Sequence, residues 1–194
     1  MKISVVTPTT AEPLSLEEVK DHLRIGLGET EEDELLEGFI ATARAKAEEV
    51  TNYKLQRQTL KLYIDAWPAN DCIELPFPPL STDTAPILQY KKSNSSTVTV
   101  GSSVWIADPV SEPARLCLEY NESWPSDTLH NVNPISVQYL CGYSTNVPSK
   151  TKSGMKLMIG DLYENRESIV VGQPVNEISG AVLNLLQGNR IFNF

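Results

Sequence analysis

Leu14-Ser15-Leu16-Glu17-Glu18-Val19-Lys20-Asp21-His22-Leu23-Arg24-Ile25 opens with a complete helix-start signal. Ser15 and Glu18 have the spacing of a capping box, in which the serine oxygen accepts an early amide and the glutamate returns to the serine amide. Leu14 and Val19 stand where a hydrophobic staple closes over that start, and Leu16, Val19 and Leu23 fall on one helical face. The spacing predicts a helix to about Ile25, stopped by Gly26 and Gly28.

Outward from this helix, a second start is expected at Thr30. Glu31, Glu32, Asp33 and Glu34 there favour the positive end of the helix dipole. Leu36, Phe39, Ile40, Ala43, Ala47 and Val50 sustain a stripe through five turns, with Asn52 as the exit. Alanines at 41, 43, 45 and 47 allow a close neighbour, which suits a tight hairpin with the first helix.

From Leu55 to Tyr143 the apolar period changes from helical to alternating. Strands are predicted around Leu60–Ile64, Ile87–Tyr90, Thr97–Val100, Val104–Ala107, Arg115–Tyr120 and Ile135–Cys141, each half-buried and antiparallel in character. Breakers separate them: Pro76, Pro78, Pro79, Pro109, Pro113, Pro125 and Pro134, and a hairpin turn at Ser93-Asn94-Ser95-Ser96. Helical periodicity returns after Pro148, with Met155, Met158, Ile159, Leu162 and Tyr163 on one face. Pro174 suits the first turn of a last helix carrying Ile178, Val182, Leu185 and Leu186 inward.

The expected fold is therefore α+β: a helical bundle built from both chain ends, two N-terminal and two C-terminal helices, with an inserted antiparallel β unit. The expected divisions are a hairpin over 1–54, the β unit over 55–144, and C-terminal helices over 145–194 packing on the first segment. At 194 residues, 41% hydrophobic and 21% charged, the chain has ordinary globular composition.

The formal net charge of −9, from 25 acids and 16 bases, opposes recruitment to nucleic acid or anionic membrane. Met1 to Pro8 is too short in its apolar part for a signal-peptide core, and no later stretch approaches a membrane span, so the expectation is a soluble protein made in the cytosol. Cys72, Cys117 and Cys141 are odd in number and lack the C-x-x-C spacing, which points to reduced core residues rather than a disulfide framework or a zinc site.

Signals for catalysis are lacking in the sequence. His22 and His130 fall in different predicted elements with no partner fixed by spacing. Neither G-x-S-x-G, H-E-x-x-H nor a phosphate loop occurs, and Gly26-Leu27-Gly28 reads as a turn. The acidic run from Glu29 to Glu37 lacks the alternation of a calcium loop and reads as a solvated helix start. Trp67-Pro68 and Trp124-Pro125 read as lids over a small core rather than a ligand platform. Ile191-Phe192-Asn193-Phe194 puts three large apolar groups near the end of the sequence, to fold back or to insert into a partner.

Residues 14–25 resemble the opening of the tailed-phage head-to-tail connector family. So do the acidic start and alanine-rich body of the next helix, with Ala43-Arg44-Ala45, and the stretches Ala85–Tyr90, Val137–Tyr143, Val147-Pro148 and Leu162–Glu167. The resemblance implies a non-catalytic virion protein at the head-tail junction, made in the bacterial host cytoplasm and using no cofactor or metal. It implies a ring of copies, twelve-fold on the portal protein, that meets a tail or stopper protein while genomic DNA passes through unread.

A ring needs two different patches on each copy. The interaction candidates are Glu31, Glu32 and Glu34, facing the channel or a basic neighbour, and the tail Arg190, Ile191, Phe192 and Phe194, reaching toward the portal. The competing expectation is a small ligand-binding or hydrolytic protein with a cleft in the β unit; another virion assembly role, such as tail completion, also fits the resemblance.

Overall fold

The computed structural model describes residues 1–165 and 180–187. In chain order the elements are β1 (Lys2–Thr7), α1 (Leu16–Leu23), α2 (Asp33–Thr51), β2 (Gln58–Ile64), β3 (Cys72–Leu75), β4 (Ile87–Lys91), β5 (Thr97–Thr99), β6 (Trp105–Asp108), β7 (Ala114–Leu118), β8 (Ile135–Cys141), α3 (Ser149–Glu164) and α4 (Gly180–Gln187). The fold is α+β, with two N-terminal and two C-terminal helices packing together and an antiparallel sheet region inserted between them in sequence, which β1, ahead of α1, also joins. Two compact units result: Met1–Thr9 with Arg57–Tyr143, and Thr10–Gln56 with Ser144–Phe194.

In the helical unit the capping box forms as the sequence requires: Ser15 Oγ accepts the Glu18 amide at 3.1 Å and Glu18 Oε2 accepts the Ser15 amide at 3.0 Å. Leu14 and Val19, the staple, are both buried. The end of α1 differs from expectation. Arg24, at φ 60°, is the left-handed cap, and its amide returns to the carbonyls of Asp21 and Lys20. A side chain in this region costs about 1–2 kcal/mol, so here the returned hydrogen bonds rather than a glycine end the helix.

Helix α2 begins at Asp33, later than Thr30, with Glu32 as an N-cap that makes no side-chain cap. Only Asp33 and Glu34 of the acidic run occupy its first turn. Asn52, at φ 61°, ends it as expected. Leu36, Ile40, Ala43 and Ala47 face inward, and Met155, Met158 and Ile159 of α3 and Val182 and Leu186 of α4 are buried in the same unit. Gly154 of α3 is the point of close approach to α4, because a β-carbon there would stand 3.2 Å from Leu186 Cδ2. Pro174 and Ile178 lie outside the described residues.

In the β unit, β1-β2-β8-β4-β5 form one antiparallel sheet and β3-β7-β6 a second. Register explains the core: Leu62, Val137 and Leu88 lie in one row across β2, β8 and β4, and Leu60 faces Tyr139 in the next. These side chains form one apolar cluster with Ile73, Leu75, Ala114, Leu116 and Trp105 of the smaller sheet. Each such burial is worth about 1.5–3 kcal/mol. Tyr139 adds a hydrogen bond from its hydroxyl to the Pro76 carbonyl, 2.6 Å long and buried. Burial pushes that phenol well above the usual tyrosine range.

All six strands expected from alternation form, with small shifts at their ends. Two more, β1 and β3, have no counterpart in the sequence reading. The cysteines require a correction as well. Cys72 and Cys117 stand opposite each other in the β3–β7 register and are joined by a disulfide, while Cys141 lies outside that bridge, buried, with its thiol 3.6 Å from the Gln58 carbonyl. A separation of 45 residues hides that pairing from any spacing rule.

Candidate assembly surfaces

The connection between α1 and α2 is held from below by a lysine. Lys20 is 3% exposed; its ammonium pairs with the Asp33 carboxylate and donates to the Glu29 carbonyl at 2.6 Å. A buried ammonium is costly unless paired, so these two partners fix how the acidic connection folds back over α1. Above them lies an open recess of about 490 Å³ lined by Ile25, Glu29, Glu31, Glu32 and Leu36 among others.

The three acidic candidates separate here. Glu31 and Glu34 are exposed, and Glu31 lines the recess. Glu32 is half-buried and accepts the Tyr163 hydroxyl of α3 at 2.6 Å. It therefore ties α3 to the start of α2 and presents less free charge than its neighbours. Arg190, Ile191, Phe192 and Phe194 lie outside the described residues.

Further charge pairing stiffens the same unit, and the sequence reading did not anticipate it. Glu48, 6% exposed on α2, accepts the Leu55 amide at 3.0 Å and the Lys54 ammonium at 2.8 Å. Arg44 bonds Glu12 at 2.7 Å. Glu18 is also approached by Lys152 at 3.5 Å and Lys156 at 3.8 Å. Its carboxyl is held below the usual range, chiefly by the Ser15 amide; burial opposes this, and the two lysines add to the lowering.

Trp67 and Trp124 stack with ring centres 5.0 Å apart, and Trp67 meets Tyr90 edge-on at 5.8 Å. Both tryptophans pack against the β core, the arrangement expected of lids. Beside them the Tyr90 hydroxyl donates to Asp127, which also pairs with Lys92 at 2.9 Å. That hydrogen bond raises the Tyr90 phenol and lowers the Asp127 carboxyl. A recess in the β unit beside Thr59, Thr84 and Gln138 measures about 100 Å³, short of the roughly 300–1,000 Å³ of ligand pockets.

His22 belongs to the helical unit and His130 to the β unit, where its Nδ1 accepts the Val132 amide at 3.3 Å. Among the described residues no group of three or more histidine, cysteine, aspartate or glutamate side chains is placed to hold a metal. No described helix is long and apolar enough to cross a membrane.

Residues 13–82 match the family described as Phage gp6-like head-tail connector protein. That span holds the capping box, both N-terminal helices, the Lys20–Asp33 pair and strands β2 and β3 of the β unit. No curated protein sequence matches the chain.

Among solved structures the whole chain is similar to a chain from the neck of an empty GTA particle computed with C6 symmetry: TM-score 0.79, 22% identity, 100% of this chain and 97% of that one. A chain of the virion of a native gene transfer agent (GTA) particle gives 0.77 and 21%, and one from the neck of a native GTA particle computed with C12 symmetry gives 0.76 and 20%, both with the same coverage. At these identities the likeness is one of fold, and it extends over both units.

Proposed function

We propose that the chain is a structural, non-catalytic head-tail connector of a tailed phage or prophage. It forms a ring below the portal, twelve-fold on that template, and links the DNA-filled head to a tail or stopper protein. One observation carries this reading. The segment that matches the connector family is embedded in a fold that follows neck-particle chains from end to end.

The physical chemistry agrees. An excess of nine acids disfavours the phosphate contacts and counterion release that would make a ring grip a moving genome. In this role the work is mechanical, and no cofactor is called for. Glu31 and Glu34, with Glu32 braced by Tyr163, face the channel or a basic neighbour, and the tail Arg190–Phe194 reaches toward the portal. The small recess of the β unit gives no comparable support to a ligand-binding or hydrolytic role.

Complementation tests the reading. Purified full-length chain added to filled heads that lack it, together with tails, is expected to yield joined particles. A chain ending at Asn189 is expected to fold but leave the heads uncompleted. Completion by the shortened chain overturns the tail assignment, and failure of the full-length chain overturns the connector itself.

A further inference from the structure

The edge strand β1 is exposed along its whole length and on both faces. On one face Ile3 stands opposite Leu62, and Val5 opposite Leu60, so these two side chains continue the rows that form the core. Leu60 and Leu62 are 1% and 0% exposed, whereas Ile3 and Val5 are 36% and 54% exposed. The apolar rows therefore run past the point where the β unit covers them.

A sheet edge also leaves every second backbone N–H and C=O without a strand partner, and soluble proteins usually blunt such edges with charge, proline or bulges. Here Lys2 guards one end and a register shift between Val5 and Thr7 the other. Ile3-Ser4-Val5 between them is regular, neutral and apolar. At the far side of the same sheet, β5 (Thr97–Thr99) pairs only with β4 among the described strands, so its outer edge is open too.

We infer that β1 is an intersubunit strand: its open edge pairs with the open edge of β5 in a second copy of this chain, and Ile3 and Val5 are covered by that copy. The inference rests on the ring reading, because a ring requires two different patches on each copy. One sheet supplies both, a donor edge and an acceptor edge on opposite sides, so the contact repeats from copy to copy instead of closing on itself as a two-fold dimer.

The sheet order makes the inference testable by cross-linking. From β1 to β5 there are four strand steps, about 19 Å at roughly 4.8 Å each. A disulfide spans no more than about 7 Å between α-carbons. Cysteines placed on both edges thus bond only between copies. Ser4→Cys is combined in turn with Thr97→Cys, Val98→Cys and Thr99→Cys in the full chain, oxidised under conditions where wild-type protein is assembled on portal. At least one pair is expected to give a ladder of covalent multimers that neither single variant gives.

Absence of a ladder from all three pairs, while wild type assembles, overturns the inference and leaves the ring standing. Efficient dimers from Ser4→Cys alone also overturn it, because they show β1 meeting β1. If wild type does not assemble on portal, the ring reading fails and takes this inference with it. Val5→Lys adds an independent readout. With its circular dichroism and melting profile as in wild type, it is expected to lower assembled mass at least tenfold at equal concentration, and unchanged assembly refutes the strand's role.

Discussion

Replacing Glu48 with alanine removes a carboxylate that three groups converge on. It accepts the Leu55 amide at 3.0 Å and the Lys54 ammonium at 2.8 Å, with the Arg44 guanidinium at 3.7 Å. Leu55 is 1% exposed, so its N–H would be left buried without an acceptor, at about 1–3 kcal/mol. Breaking a fully buried ion pair from one side costs about 3–5 kcal/mol. Lys54 and Arg44 are partly solvated and recover part of that in water. The expected loss is about 3 kcal/mol, read as a drop of about 1–2 M in the urea midpoint for a slope near 2 kcal/mol/M. Glu48→Gln keeps an oxygen for the Leu55 amide and is expected to recover roughly half the loss. A loss below about 1 kcal/mol for Glu48→Ala refutes the reasoning, since water would then be serving the Leu55 amide as well as the carboxylate does.

Ser15→Ala removes the α1 cap and is expected to cost about 1 kcal/mol by denaturant titration, because the Glu18 amide loses its acceptor. Glu18, held below the usual carboxyl range, binds a proton less readily in the folded chain than in the unfolded one. Its contribution is thus complete above the ordinary carboxyl pKa and disappears as pH falls through that value to the lowered one. In Glu18→Gln the fall of stability with acid is expected to be shallower, and an unchanged pH profile counts against the assignment. Tyr139→Phe is expected to lose about 1–3 kcal/mol by leaving the Pro76 carbonyl buried without its donor. Asp127→Asn is expected to bring the Tyr90 phenol down in an alkaline absorbance titration, since the hydrogen bond to Asp127 is the chief cause of its raised position.

Much of the fold was legible because its signals are local. The capping box, the staple and the Asn52 exit involve residues a few positions apart, and six of the eight strands alternate clearly enough to be read singly. The misses have non-local causes. β1 has no buried face to impose a period, and it is a strand because β2 offers it an edge. β3 is four residues long and runs into Pro76. Arg24 ends α1 through hydrogen bonds to Asp21 and Lys20, which outweigh the usual preference for glycine.

Of the candidate surface, the acidic character was visible but its internal order was not. Nothing in the local helix pattern marks Lys20 as buried, because its partner Asp33 lies thirteen positions later and meets it only in the folded chain. Glu32 looks equivalent to Glu31 until Tyr163 takes its carboxylate. Nor does spacing reveal that Cys72 faces Cys117, because the pairing depends on the β3–β7 register.

The connector claim is tested most directly by the absolute mass of the purified full-length chain in solution, measured by light scattering over a concentration series and then with a matching portal added. A closed multimer, formed alone or on the portal with one copy per portal subunit, is the predicted result. A 21.5 kDa species that holds its mass at every concentration and ignores the portal would contradict the account.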